Sequence, residues 1–418
     1  MRDLLVLSEV EELALSDVEG SSMKSRVSTR TVAAALAVVY GIAFLDAQVR
    51  APRPGDPLAG ISTAEFAEFR LGLDDFLEVE TADEGLGPAF NGTSCAICHS
   101  IPAVGGFGTI AEVRAVGRNE QGELAPLHAS GETLHQLFSV PTHGCQVSIP
   151  AEAAVIARRI PIPLFGAGLV EAIPDGIVLA REDPMDDNGD GISGRAARVV
   201  DVATGQIRIG RFGWKAQHAT LLAFSADAYR NEMGITNDLF PEELASGVPA
   251  DRMRLCDLIP DPEDVRDPRT NRRGIDNFES FMKFLAPLGR LAPDTAARSG
   301  EQLFSSIGCA SCHVPVLNTG PHSNRLFENQ AVALFSDLLL HDIGTGDGIA
   351  QGAALASEMR TPALWGLRVR RPLLHDGSAT TIEEAILRHG GEATRARTGF
   401  TQLSDPDKAA MLAFLKTL

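Results

Sequence analysis

Two C-x-x-C-H pentapeptides, helical spacing of the apolar residues ahead of each, and short β-like runs confined to the first half predict the fold class. It is a mainly α chain of two cytochrome-c-like haem domains, the first with a mixed, partly β insertion. The pentapeptides are Cys95-Ala96-Ile97-Cys98-His99 and Cys309-Ala310-Ser311-Cys312-His313. Two cysteines three apart on a helical turn form thioethers to the two vinyl groups of one porphyrin, and the adjacent histidine lies under the iron as axial ligand. The motifs use four of the six cysteines. A zinc site made of two C-x-x-C pairs expects them roughly 15–20 residues apart, whereas these stand in different halves of the chain. Two covalently bound c-type haems are expected, on Cys95 and Cys98 and on Cys309 and Cys312, with His99 and His313 on the irons.

Residues 1–22 are acidic, and from Met23 the pattern changes. Lys24, Arg26 and Arg30 precede an apolar run from Val32 to Leu45 that ends near Ala47. A basic n-region, a short apolar h-region and a small residue describe a secretory signal peptide. The run is too short to span a bilayer comfortably, so no stable membrane span is expected after cleavage. Residues 1–47 are therefore read as an N-terminal extension and signal peptide, with translation from Met23. A periplasmic location follows, which suits haem attachment outside the bacterial cytoplasm. The net charge of −18 argues against nucleic acid and against an anionic membrane surface. It leaves room for a basic electron-transfer partner.

The N-terminal haem domain is placed at residues 58–290. Its first helix starts at Ser62, with Glu65 three residues on as a capping box, and carries Phe66, Phe69, Leu73 and Phe76 at helical spacing. Residues 110–210 form the mixed insertion, with β-like runs at Val199–Val202 and Gln206–Ile209. Within it, Asp186-Asp187-Asn188-Gly189-Asp190-Gly191 matches the first half of a calcium loop, but position twelve is Ala197, which offers no side-chain ligand. A calcium ion completed by other segments is one reading, and a tight acidic turn is the default. Cys145 and Cys256 are an even remainder in an exported chain, open to a disulfide or to two buried thiols. Pro287 to Pro293 reads as a link. The C-terminal cytochrome-c-like domain, residues 295–418, opens with an amphipathic helix over Ala297–Phe304. It closes with one capped by Ser404 and carrying Met411, Leu412, Phe414 and Leu415.

With these residues in view, the chain resembles the di-haem oxidoreductase family, related to the bacterial di-haem cytochrome c peroxidases and to the di-haem enzyme that matures tryptophan tryptophylquinone. The resemblance runs from about Ile61 to Leu418. It rests on Gly87-Pro88-Ala89-Phe90-Asn91, Asp190-Gly191-Ile192-Ser193-Gly194-Arg195, Arg211-Phe212-Gly213-Trp214-Lys215-Ala216 and Asn231-Glu232-Met233-Gly234-Ile235-Thr236. In the second half it rests on Arg360-Thr361-Pro362-Ala363-Leu364-Trp365, Leu374-His375-Asp376-Gly377 and Thr381 to Gly390. In the peroxidases a tryptophan lies between the haems, and a glutamate in a Glu-Met-Gly context stands over the N-terminal one; Trp214 and Glu232 match them. The glutamine and proline that accompany that glutamate have no counterpart between Phe224 and Tyr229. The resemblance also places the second haem's sixth ligand at His389.

Breaking a peroxide O–O bond requires a group that moves a proton between the two oxygens, and a carboxylate over an open iron position can do so. The resemblance thus implies a peroxidase-like oxidoreductase. Hydrogen peroxide, or a similar oxidant, reacts at the His99 haem, and the His313/His389 haem exchanges electrons with a periplasmic donor or protein substrate. Two other functions share the same residues: a di-haem electron carrier with both irons closed, and a thiol oxidant working through free C-x-x-C pairs.

Overall fold

Ser62 begins the first helix as expected. Its Oγ accepts from Glu65 N at 3.3 Å, and Glu65 Oε2 accepts from Ser62 N at 2.7 Å, a closed capping box worth about 0.5–2 kcal/mol. The structure is a computed structural model that describes residues 52–418, apart from 129, 257–258 and 260–261. The expected leader, with its start at Met23 and its cleavage site, lies outside the described residues.

Eleven α-helices occur among the described residues. They are α1 Thr63–Leu77, α2 Cys95–Cys98, α3 Ala167–Glu171, α4 Asp175–Leu179, α5 Leu221–Ala228, α6 Ala250–Cys256, α7 Gly274–Phe284, α8 Thr295–Ser306, α9 Ile382–Leu387, α10 Thr394–Gln402 and α11 Asp405–Leu415. Strands are short, and long connections run between elements. The main sheet is antiparallel, with β2 (Glu112–Arg118) at its centre. It pairs with β3 (Leu124–Pro126), β4 (Leu134–His135) and β6 (Val155–Arg159), while β1 (Ala89–Phe90) pairs with β5 (Phe138–Ser139). The two β-like runs become the hairpin β7 (Arg198–Asp201) and β8 (Gln206–Ile209). The insertion is more β than those runs announced, because β2 and β6 carry arginines inward and lack a simple apolar alternation.

Each half builds its haem motif against a crossed helix pair. In the first, α1 lies on α7, with the rings of Phe69 and Phe76 tilted against Phe281 at separations of 5.3 and 4.8 Å. The helices approach so closely that a β-carbon on Gly72 would collide with the Asn277 carbonyl oxygen. In the second, Asp294 caps α8 by accepting from Ala297 N at 2.7 Å, and α8 lies on α11. There a β-carbon on Gly300 would collide with the Ala410 carbonyl. Four residues beyond each glycine stands a phenylalanine that touches the motif histidine: Phe76 lies 6.2 Å from His99 and Phe304 lies 6.3 Å from His313, ring centre to ring centre.

The larger apolar cluster runs from Leu58 to Leu288 and takes in Val314, Leu317, Phe327 and Leu339. The second is built from Ala297 to Leu418. Packing therefore crosses the expected link, and Pro52–Leu418 form one unit. Cys145 and Cys256 are joined as a disulfide with Cα atoms 5.6 Å apart.

Candidate haem centres

Ser94 fixes the first motif. Its Oγ accepts from Ala96 N and donates to Phe76 O, both at 3.3 Å, so the four-residue α2 is tied to the end of α1. His99 follows with Nδ1 2.9 Å from Gly106 O. A carbonyl only accepts, so Nδ1 carries the hydrogen and Nε2 keeps its lone pair for a metal. Cys95, Cys98 and His99 line a cavity of about 180 Å³.

Glu232 lines the same cavity. After α5 the chain widens into a π-helical turn over Tyr229–Met233. Glu232 O in that turn accepts from Asn91 N at 2.7 Å, which docks the segment leading into the motif against the glutamate. Asn91 Nδ2 donates to Glu232 Oε2 at 2.7 Å. Glu112 and Arg114 of β2 and Arg159 of β6 complete this wall, with Glu112 and Arg159 paired in register. Desolvation, then the charge of Glu112, pushes the Glu232 carboxyl up to about 8, against the pull of Asn91 and Arg114.

In the second half a capping box at Thr381 and Glu384 starts α9, and His389 follows its end. His313 Nδ1 lies 3.1 Å from Phe335 O and His389 Nδ1 lies 2.7 Å from Ala385 O. All three expected ligands thus present Nε2 in the same way. The rings of His313 and His389 are 6.5 Å apart, centre to centre. Two imidazoles facing across a metal, each nitrogen about 2 Å from it, have ring centres roughly 6 Å apart. Burial, then the nearby His389, pushes His313 down to about 4, leaving it the neutral ring a ligand must be. Cys309, Cys312, His313 and His389 line a cavity of about 810 Å³.

Trp214 is, among the described residues, the one that appears on both cavity walls. Its Nε1 donates to Ile160 O at 2.8 Å, and the Arg370 guanidinium lies 5.3 Å from its ring centre. His375 lines the larger cavity, with its ring 6.1 Å from Trp214. His218 stays behind the first wall, with Nε2 2.9 Å from Asp227 Oδ2; Asp227 is the member that lines it.

The residues present fit haem. Burial pushes the Cys95, Cys98 and Cys309 thiols up to about 12, the reverse of the low-pKa thiolate that thiol redox chemistry needs. No disulfide joins the four motif cysteines. Arg370 Nε and Nη2 on the larger wall, and Arg159 Nη2 on the smaller, are buried without a hydrogen-bond partner. An unpaired buried guanidinium N–H is costly, and a haem's carboxylate side chains satisfy it. The Asp186–Gly191 loop is an exposed turn whose carboxylates accept from its own backbone, Asp186 from Gly191 N and Asp190 from Ile192 N.

Sequence reasoning missed Glu112, Arg114, Arg159 and Arg370. The one available signal was Glu112-Val113-Arg114, which puts opposite charges on one face of a strand. No motif marked His341 either. That ring lines the larger cavity, clamped between Asp337 at 2.9 Å and Glu392 at 2.7 Å.

The family pattern described as "Di-haem oxidoreductase, putative peroxidase" matches residues 140–418, beginning after the first C-x-x-C-H motif. The methylamine utilization protein MauG of Methylorubrum extorquens is 30% identical over 139 residues, 29% of this chain and 34% of that protein. The alignment therefore spans about a third of the relative's length. A MauG-like protein associated with microbial copper homeostasis aligns with a TM-score of 0.41 at 18% identity, over 90% of this chain and 95% of its own. The diheme peroxidase BthA of Burkholderia thailandensis aligns with a TM-score of 0.40 at 16% identity, over 88% and 86%.

Proposed function

The chain belongs to the di-haem oxidoreductase, peroxidase-like family, and from that membership we propose a periplasmic enzyme in which hydrogen peroxide reacts at the His99 haem while the His313/His389 haem exchanges electrons with a donor. The family implies two haems. In this reading Cys95 and Cys98 hold one through thioethers, and Cys309 and Cys312 hold the other. The observation that carries the proposal is Glu232, a carboxyl on the same cavity wall as Cys95, Cys98 and His99, kept protonated by its surroundings.

When bound, the haems supply an iron that takes peroxide and the electrons that reduce it. The chain does the rest. His99 offers Nε2 because Gly106 O occupies its Nδ1 hydrogen. Glu232 carries a proton on the cavity wall and can give it to, or take it from, an oxygen beside it. Asn91 orients that carboxyl through Oε2. Trp214 fills the wall between the two cavities and is the group through which electrons pass. His313 and His389 would hold the second haem's iron between them, which would suit storage and transfer of electrons rather than binding of peroxide.

A di-haem electron carrier is the second reading, favoured by Met233 and Met282 on the N-terminal wall, since either sulfur could close that iron. Replacing a general acid/base typically costs about 10²–10⁴ in rate. Glu232→Gln should lose peroxide reactivity on that scale with both haem spectra intact, and cyanide should shift the spectrum of one haem only. Two low-spin haems indifferent to cyanide, or a loss below about tenfold in Glu232→Gln, would replace the enzyme with the carrier.

A further inference from the structure

Glu112 stands with Glu232 on the wall of the N-terminal cavity, and neither the motifs nor the family resemblance gives it a task. Two carboxyls close together in one recess resist ionising at the same time, because their mutual repulsion favours a proton on one of them. The surroundings decide which. Arg114 Nε and Nη2 donate to Glu112 Oε1 and Oε2 at 2.7 and 3.1 Å, and Arg114 Nη1 is itself fixed on Thr133 Oγ1 at 3.1 Å. Both oxygens of Glu112 are thus taken by one buried cation. Glu232 has no such partner among the described residues; its Oε2 accepts a neutral amide hydrogen from Asn91.

Two other charged groups face the pair. Arg159, opposite Glu112 on β6, is bonded through Nε to Asp347 at 2.6 Å, keeps Nη2 without a hydrogen-bond partner, and adds its charge to that of Arg114 in holding Glu112 down. Asp227, at the end of α5, takes His218 Nε2 at 2.9 Å and Asn231 Nδ2 at 2.8 Å.

We propose that Glu112 and Glu232 work as one proton-sharing pair, with Arg114 holding Glu112 as the anion and Glu232 carrying the proton. The pair deepens the peroxidase reading above and rests on it. The electrostatics agree. Desolvation would raise Glu112, but the Arg114 charge and hydrogen bonds outweigh it and keep that carboxyl below its usual range, whereas Glu232 is raised.

A glutamate that rests ionised must collect a proton from one oxygen of peroxide before it can deliver one to the other. The pair starts loaded. Glu232 gives its proton to the outer oxygen as the O–O bond breaks, and that oxygen leaves as water with the bonding electrons. The proton of the inner oxygen passes to the pair, which ends with the single proton it began with. The inner oxygen would become the second water with two protons from solvent and two electrons, which the haems, when bound and reduced, would supply. Glu112 acts through Glu232 and is therefore a positioning residue, the charge that keeps its neighbour protonated.

Infrared difference spectra of the haem-loaded protein at neutral pH, wild type against variant, read this directly. The carbonyl stretch of one protonated carboxyl should vanish in Glu232→Gln. It should vanish also in Glu112→Gln, because Glu232, freed of its charged neighbour and left beside Arg114, then ionises. Peroxide reduction by Glu112→Gln should fall by about tenfold or more. A carbonyl band that survives Glu112→Gln at full intensity means that burial alone holds the proton, and the pair is wrong. Arg114→Met tests the same pairing if Glu112→Gln does not fold. Losing the cation should raise the pH at which the band bleaches by about one unit or more, and an unchanged midpoint overturns the pair. Bands lost as expected alongside a Glu232→Gln enzyme of near-normal rate would leave the pair standing and remove the peroxidase reading beneath it.

Discussion

His389 reaches the larger cavity with Nε2 foremost because Ala385 O, on the last turn of its own helix, occupies Nδ1. A ligand held by a single short hydrogen bond is removed cleanly by truncation. His389→Ala should convert one low-spin haem to high-spin and raise its potential, since a nitrogen donor stabilises the oxidised iron; absorption and potentiometry check both. If the low-spin spectrum persists, another side chain closes that iron. The candidate ligands of the two C-x-x-C-H motifs were legible because haem attachment fixes cysteine and histidine spacing within five residues, whereas His389 was placed by the resemblance. Glu232 and Trp214 stood out only through the resemblance. Glu112 offered only the faint signal of Glu112-Val113-Arg114, and Arg159 and Arg370 offered none, because their roles arise between segments far apart in sequence. Arg370 looks like any surface arginine until folding buries it with Nε and Nη2 lacking a hydrogen-bond partner.

The crossed helix pairs, α1 on α7 and α8 on α11, set where each motif histidine stands, through Phe76 and Phe304. Gly300→Ala tests this. Alanine favours a helix by about 1 kcal/mol over glycine, but here its methyl meets the backbone carbonyl of Ala410, which cannot move aside as a side chain can. Overpacking of this kind costs about 1–3 kcal/mol, so the collision should win. Thermal melts should show a less stable protein, and the spectrum of the C-terminal haem should change as Phe304 shifts against His313. Gly176→Ala is the control. It lies in α4 with open space where its β-carbon would go, and it should raise stability by about 0.4–1 kcal/mol. Helix starts at Ser62 and Ser404 could be read from sequence because caps are local chemistry. The β2–β6 pairing could not, since a strand that buries Arg114 beside Val113 breaks the alternation by which half-buried strands are recognised.

Across the whole molecule the two cavities share one wall residue, Trp214, with a guanidinium over its ring and its N–H fixed on Ile160. Trp214→Phe keeps that wall apolar and aromatic while removing the larger π-system and the N–H. Both haem spectra should survive. Electron equilibration between the haems after less than one equivalent of reductant should slow by about tenfold or more, a barrier change of about 1.4 kcal/mol; rapid mixing reads it. An unchanged rate would route the electrons elsewhere. Sequence patterning placed a link near residues 287–293 but could not foresee that Val314 to Leu339 would pack into the first half's core, because periodicity says which face is buried and not against what.

The same helix crossings bear on the order in which the protein assembles. The chain between α1 and α7 is roughly twice as long as that between α8 and α11, and closure entropy grows only with the logarithm of length, so the doubling costs about 0.6 kcal/mol. In equilibrium terms the two closures are nearly equal. In kinetic terms they are not, because folding slows as contacting residues lie further apart along the chain. When the complete chain refolds from denaturant, the half that comes last in sequence is the one expected to close its pocket first.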